Sequence, residues 1–283
     1  MKRFLVRLCL WMLLLTGLFF SVRSMLDTQK TKKASQEAAR IAGLPAGVSA
    51  FVRLIPMETD VQESQEAGMG IKEEKTKEAT EGIEAEGLPK EASFLADINL
   101  EALQEVNQDV LGWIALPGTR LSYPIVQGED NNEYLYHNWK KEKSISGSIF
   151  MESTNRSDFS DFHTIIYGHR MRDRTMFGML KDYQSLDFLR EHPSIYLAYG
   201  DDICRYDIFA AYEAGVKSMV YRLDLEENGL EEEFLQFCRE SSVLDTGVIP
   251  GPGAKILTLS TCTGRGHSTR WVVQGYLAEV KKR

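Results

Sequence analysis

The hydrophobic pattern divides the chain into three stretches, of which the first is a membrane signal. Residues 8–22 form an unbroken apolar or small-residue run, LCLWMLLLTGLFFSV, and Lys2 and Arg7 precede it. With the apolar residues just before it, the run approaches the ~20 residues that a membrane-spanning helix needs, so we expect residues 1–25 to be an uncleaved signal-anchor helix. A cleaved signal peptide is the alternative because the run also suits a signal-peptide core, although Arg23 interrupts the expected cleavage site. Both interpretations place the remaining chain at or beyond a membrane.

The second stretch, residues 26–92, is predicted to be a linker. Residues 27–42 are rich in Ala, Gln, Glu and Lys and predict a polar helix that Gly43 and Pro45 end. Residues 60–92 contain few large apolar side chains and an excess of acidic ones, so they cannot bury enough surface to offset their ordering entropy. We expect an acidic spacer there. A coiled-coil stalk is the alternative, but no sustained heptad supports it.

The third stretch, residues 93–283, has the residue pattern of a compact domain with many short strands. Apolar runs bounded by turn residues predict strands at 111–116, 121–127, 148–151, 163–167, 195–199, 205–212, 255–261 and 271–277. Pro117-Gly118-Thr119 predicts a hairpin between the first two. Helices are expected after a cap at Asn99 and at 131–136, 176–183 and 230–240. The pattern indicates a mainly β barrel or sandwich with short helical insertions.

Composition narrows the function classes. The 283 residues carry a net charge of −8, with 43% hydrophobic and 26% charged residues, which is ordinary for a globular protein. An acidic chain of this kind is a poor nucleic-acid binder, because such binding relies on neutralising phosphates. No C-x-x-C motif or other metal-ligand cluster is present, so we expect neither a metal nor a cofactor.

Three cysteines lie in the third stretch, and two of them look structural. Cys204 belongs to a predicted strand and Cys238 to the apolar side of a predicted helix. We interpret both as small buried hydrophobic residues, with a disulfide between them as the alternative.

Cys262 is the candidate nucleophile. It ends the apolar strand that starts at Lys255 and is followed by the loop Thr-Gly-Arg-Gly-His-Ser, in which Arg265 supplies positive charge that favours a thiolate. An inert strand-end residue remains the alternative. A nucleophilic cysteine needs a nearby group that moves protons, usually a histidine. His169, after a buried strand and a turn glycine, and His267, close in sequence, both remain candidates.

Several ordered motifs in this stretch closely resemble the signature of class B sortases. They are Gly-Trp-Ile at 112–114, Tyr-Pro-Ile-Val-Gln-Gly at 123–128, Gly-Ser-Ile-Phe at 147–150, Ile-Tyr-Gly-His at 166–169, Met-Phe-Gly-Met-Leu at 176–180, Thr-Leu-Ser-Thr-Cys at 258–262 and Arg-Trp-Val-Val at 270–273. The resemblance extends over about residues 100–283. It implies an eight-stranded sortase β-barrel with short helical insertions, preceded by an N-terminal membrane anchor helix.

The resemblance also implies roles for particular residues. Cys262 would be the nucleophile, His169 the general acid/base, and Arg270 the cation that stabilises the oxyanion or binds substrate. Ser260 and Thr261 would help to position the substrate backbone. The segment 220–243 ahead of the cysteine strand is typical of class B and would contribute to substrate selection.

The implied activity is a cysteine transpeptidation at the surface of a Gram-positive cell. The enzyme would cleave the C-terminal sorting signal of a secreted protein after a Thr through a thioester on Cys262, then transfer the protein to an amine of a peptidoglycan precursor. The chain would cross the membrane once, contacting lipid through its N-terminal segment, with the catalytic domain outside the cell. The alternatives are a pilin-polymerising sortase, a cysteine peptidase that releases its product to water, and a non-catalytic surface β-barrel that binds a partner.

Overall fold

The computed structural model describes most of the chain. The described residues are 2–44, 88, 92–251, 253–262 and 268–283. The predicted acidic spacer lies almost wholly outside them, as do Arg265, His267 and the side chain of Cys262. The division of the chain at residues 25 and 92 therefore stays a prediction.

The N-terminal part of the chain forms one long helix, α1 (Lys2–Ile41). The sequence predicted an anchor helix and a separate polar helix, but no proline or helix-ending pair of residues separates them, so the helix is continuous. It ends at Ile41, and Gly43 two residues later has a φ of 75°, the left-handed conformation typical of a glycine after a helix. Among the described residues, no helix is long and apolar enough to cross a membrane.

The remaining helices are short. They are α2 (Leu100–Val106), α3 (Glu133–Tyr136), α4 (Leu186–Glu191), α5 (Glu231–Ser241) and 3-10 helices at Ser93–Asp97, Leu180–Gln184 and Met219–Tyr221. The predicted cap is confirmed, since the side chain of Asn99 accepts a hydrogen bond from the amide of Ala102 at 2.9 Å. The predicted helix at 176–183 is wrong in its first half. Met176 has a φ of 53°, which a right-handed helix excludes, so the segment begins as a turn.

All eight predicted strands are present and close into a barrel. They are β1 (Val110–Ala115), β2 (Ser122–Val126), β3 (Ile149–Met151), β4 (His163–Tyr167), β5 (Ser194–Tyr199), β6 (Asp202–Gly215), β7 (Ile256–Cys262) and β8 (Thr269–Lys282). Their order around the barrel is β1-β2-β3-β4-β7-β8-β6-β5. The pairs β2–β3 and β4–β7 are parallel, and the other neighbours are antiparallel.

Strand alternation separates the barrel interior from a second apolar layer outside it. Leu257 and Leu259 of β7 belong to the interior core, whereas Ile256 packs in a cluster with Phe234 of α5. Helix α5 therefore covers the outer surface of the strands that lead to Cys262. Cys204 packs in the interior and Cys238 in the outer cluster, and both are free and buried. The prediction of two structural thiols is confirmed.

Candidate active site

Three neighbouring strands bring together the ends that carry the predicted catalytic residues. The amide of Gly168, just beyond β4, donates to the carbonyl of Ser260 on β7 at 3.2 Å. His169 is the next residue, so its backbone lies level with the end of β7. There Cys262 lies opposite Arg270 of the antiparallel strand β8. The three backbone positions thus meet at one edge of the barrel, although 93 positions along the chain separate His169 from Cys262.

The imidazole of His169 is held by a main-chain carbonyl. Its Nε2 lies 2.9 Å from the carbonyl oxygen of Leu135, at α3. A carbonyl oxygen can only accept, so Nε2 carries the proton and Nδ1 remains for chemistry. The loop after His169 is fixed as well, because the amide of Phe177 donates to the His169 carbonyl at 3.0 Å. The Leu135 carbonyl therefore fixes the orientation of this imidazole. The other candidate, His267, lies outside the described residues.

Arg270 is half-buried at the start of β8. Its Nη1 donates to the carbonyl of Thr269 at 3.0 Å. Its charge acts on Tyr167 at the end of β4, where burial and Glu152 raise the pKa of the phenol and Arg270 opposes them. Arg270 therefore lies opposite the strand end that carries Cys262 and brings a positive charge to this edge of the barrel.

Ser260 and Thr261 occupy different environments. The Ser260 hydroxyl lies 2.9 Å from the hydroxyl of Tyr221, in the 3-10 helix at Met219–Tyr221. Thr261 lies on the same side of the β7 alternation as the interior residues Leu257 and Leu259 and is 2% exposed. Its hydroxyl has no hydrogen-bond partner among the described residues. Of the two predicted substrate-positioning residues, only Ser260 therefore lies two positions from Cys262, on the same side of the strand alternation.

The structure adds functional candidates that the sequence did not single out. Tyr221 lies within the segment 220–243 that was expected to select substrate, but its sequence context does not distinguish it. Tyr167 donates through its hydroxyl to Glu152 at 2.9 Å, and Asn131 donates to both carboxylate oxygens of Glu152 at 2.7 Å. The only sequence signal for Tyr167 was its place in the motif Ile-Tyr-Gly-His at residues 166–169. The contact to Glu152 could not be read from sequence because 14 residues and a change of strand separate the two.

A second histidine, His163, is buried away from the strand ends. It is 2% exposed at the start of β4, and its Nδ1 lies 3.1 Å from the Arg222 carbonyl. Its Nε2 lies 2.8 Å from the hydroxyl of Thr258, which also accepts from the amide of Gln274 at 2.9 Å. Burial lowers the pKa of His163 to about 4, so it is neutral at physiological pH. Its role is to join β4 and β7 to the segment that precedes α5.

Among the described residues, no group of three or more His, Cys, Asp or Glu side chains could hold a metal ion.

Comparison with known proteins identifies the family. A family model described as Sortase domain matches residues 114–278. The chain is 39% identical over 180 residues to sortase B of Listeria monocytogenes, which covers 63% of this chain and 73% of that protein. It is 36% identical over 162 residues to sortase B of Staphylococcus aureus, which covers 57% and 66%. A solved Staphylococcus aureus sortase B–substrate complex matches with a TM-score of 0.60 and 34% identity, over 64% of this chain and 84% of that chain.

The closed eight-stranded barrel and these matches define a cysteine transpeptidase. Its eight strands and its short helices agree with the fold implied by the sequence motifs. The chain belongs to the sortase family, and the two relatives named above are sortase B proteins.

Proposed function

We propose that this sortase cleaves the C-terminal sorting signal of a secreted protein after a Thr and transfers the protein to an amine of a peptidoglycan precursor. The observation that carries the proposal is the meeting of positions 169, 262 and 270 at one barrel edge. The similarity to a Staphylococcus aureus sortase B solved as a substrate complex supports a substrate that carries a sorting signal.

The first half of the proposed reaction forms a thioester. The Cys262 thiolate attacks the Thr carbonyl carbon, and the guanidinium of Arg270 stabilises the oxyanion of the tetrahedral intermediate. As the peptide C–N bond breaks, His169 gives a proton to the departing amine. The Leu135 carbonyl occupies Nε2, so Nδ1 of the imidazolium is the nitrogen that donates.

The second half transfers the acyl group. A primary amine of the acceptor attacks the thioester carbon, and His169 takes the proton that the amine releases. The new C–N bond forms as the C–S bond breaks, which returns Cys262 as a thiolate. The enzyme ends in its starting protonation state, so each turnover is balanced without a cofactor.

The segment at residues 220–243, which lies outside the barrel, is proposed to select the sorting signal. The hydroxyl of Tyr221 lies 2.9 Å from that of Ser260, which is two residues before the proposed nucleophile Cys262 on β7. Substrate backbone groups need hydrogen-bond partners once water is excluded. The two hydroxyls at this edge can supply them.

The experiment that tests the proposal is mass spectrometry of the full chain after incubation with a library of sorting-signal peptides. A peptide-sized acyl adduct on Cys262 is expected, and its loss on adding hydroxylamine would show a thioester. Cys262→Ala and His169→Ala should each abolish product. Cys204→Ala is the matched control, because burial raises the pKa of that thiol and removes it from reaction.

Three outcomes would contradict the proposal. Turnover by Cys262→Ala would exclude the covalent mechanism. Equal product with and without an added amine acceptor would favour a peptidase. A slow alkylation of Cys262 that His169→Ala leaves unchanged would favour a non-catalytic binding protein.

We further propose that α1 attaches the chain to the cell membrane, with the barrel on the extracellular side. The support is the apolar run at residues 8–22 and the exposed apolar side chains that α1 presents, which include Trp11, Leu15 and Phe19. The full chain should sediment with membranes after a carbonate wash, and external protease should digest the barrel in intact cells stripped of wall. A chain that is washed off, or a barrel that stays protected, would contradict this arrangement.

A further inference from the structure

The second half of α1 lies against the loop at residues 137–148, which packs on the Leu135 carbonyl that contacts His169. The hydroxyl of Thr31 lies 3.0 Å from that of Ser146 and 3.2 Å from that of Ser144. Three residues along the helix, the carbonyl of Ala34 accepts a hydrogen bond from the indole of Trp139 at 2.8 Å. The hydroxyls and the indole are buried, so these contacts are shielded from water and fix the loop against the helix.

This loop packs directly on the carbonyl that orients the imidazole. A Cβ atom added to Gly147 would lie 2.7 Å from the Leu135 carbonyl oxygen and 2.5 Å from that of Tyr134. Gly147 follows Ser146, which contacts Thr31. One unbroken series of contacts thus runs from α1 through Ser146 and Gly147 to the Leu135 carbonyl, which accepts from His169.

The same helix also holds the segment on the other side of His169. Lys32 pairs with Asp173 at 3.3 Å. Asp173 accepts hydrogen bonds from the amide of Thr175 at 3.2 Å and from its hydroxyl at 2.6 Å, which closes the turn after His169. Although burial alone would raise the pKa of Asp173, the contacts to Thr175 and Lys32 hold it below its usual range.

We propose that α1, through Thr31 and Lys32, is a positioning element of the active site that fixes His169 from both sides. The inference rests on the proposed function, in which His169 moves the proton. Small displacements of a reacting group reduce the rate of an oriented step steeply. A helix that reaches toward the membrane would in this way set the geometry of the catalytic imidazole without touching substrate.

The test measures kcat and KM for a cleavable sorting-signal peptide, using the full chain in a non-ionic detergent. Thr31→Val keeps the side-chain shape and removes the hydroxyl contacts, and Lys32→Gln removes the ion pair. Because each lost contact is modest, we expect the double variant to lose about tenfold in kcat. KM should stay within about twofold, because neither residue touches substrate.

Two matched variants separate positioning from a general effect. Lys32→Arg keeps a cation opposite Asp173 and should restore kcat to near the wild-type value. Lys33→Gln removes the same charge from the adjacent, exposed position of α1 and should leave kcat unchanged. If the double variant does not fold, Lys32→Gln alone tests the pair, since that side chain is 45% exposed.

The possible results are distinguishable. A wild-type kcat in both Thr31→Val and Lys32→Gln would overturn the inference, as would equal losses in Lys32→Gln and Lys33→Gln. A lower melting temperature with kcat unchanged at temperatures below it would show a structural role only. Failure of the proposed function itself would appear earlier, as a wild-type chain that forms no acyl adduct.

Discussion

Lowering the pH from 7 to 5 is expected to destabilise the barrel through His163. A carbonyl can only accept, so Nδ1 of His163 donates to Arg222 and Nε2 accepts from the Thr258 hydroxyl. The neutral ring therefore satisfies both partners. A second proton on Nε2 would face that hydroxyl in a site that burial has removed from water.

The sign and size follow from the two pKa values. The folded pKa is about 4 against an ordinary value of 6.5, and burial is the main cause. As the pH falls below 6.5 the unfolded chain binds a proton at His163 while the folded chain does not, so the stability present above 6.5 is lost. The full difference is about 3 kcal/mol, of which about 2 kcal/mol is lost between pH 7 and pH 5.

The assay is urea unfolding of the full chain at both pH values, for the wild type, His163→Gln and His192→Gln. Carboxylates contribute equally to all three chains, so the difference between chains isolates one histidine. The wild type should lose about 2 kcal/mol more than His163→Gln over this range. His192 is half-exposed, and its variant should follow the wild type. Equal losses in the wild type and His163→Gln would refute the reasoning.

Three further substitutions test the barrel edge. Arg270→Lys should lower kcat about 100-fold in the peptide assay, because an ammonium does not reproduce the planar fork of donors of a guanidinium. A near-wild-type rate would remove Arg270 from the reaction. Thr261→Val should raise the free energy of unfolding by about 1 kcal/mol, because it deletes a buried hydroxyl that has no hydrogen-bond partner in the described part of the chain, and kcat should be unchanged. A large loss of kcat would instead support the predicted substrate role of Thr261. Gly168→Ala would place a Cβ atom 2.7 Å from the ring of Phe177. We therefore expect the free energy of unfolding to fall by about 1–3 kcal/mol and His169 to be displaced. A wild-type kcat and stability would show that the ring can move aside.

The strands could be predicted because their signal is local. Alternating apolar positions and turn residues such as Pro117-Gly118-Thr119 located all eight, including the one that ends at Cys262. The helix at 176–183 was only half right, because the left-handed Met176 depends on a hydrogen bond from its amide to the distant hydroxyl of Tyr123. Local propensity does not contain such a contact.

The candidate site was predicted from motifs, but its organisation was not. Spacing alone left His169 and His267 open, and the family resemblance supplied the choice. The groups that hold His169 could not be foreseen, because a main-chain carbonyl such as that of Leu135 carries no sequence signal. The same is true of the buried Thr261 hydroxyl, whose environment depends on which side of β7 faces the interior.

The sequence by itself determined the strand-rich domain, the N-terminal helix and a cysteine at the end of an apolar strand. Each of these follows from neighbouring residues, whose periodicity and hydrogen-bonding capacity act over a few positions. Only the tertiary structure decided that β4 pairs in parallel with β7, that α1 reaches the loops on both sides of His169, and that His163 is buried and neutral. Those features arise from contacts between residues about 90 to 140 positions apart, which also set which polar groups lose contact with water.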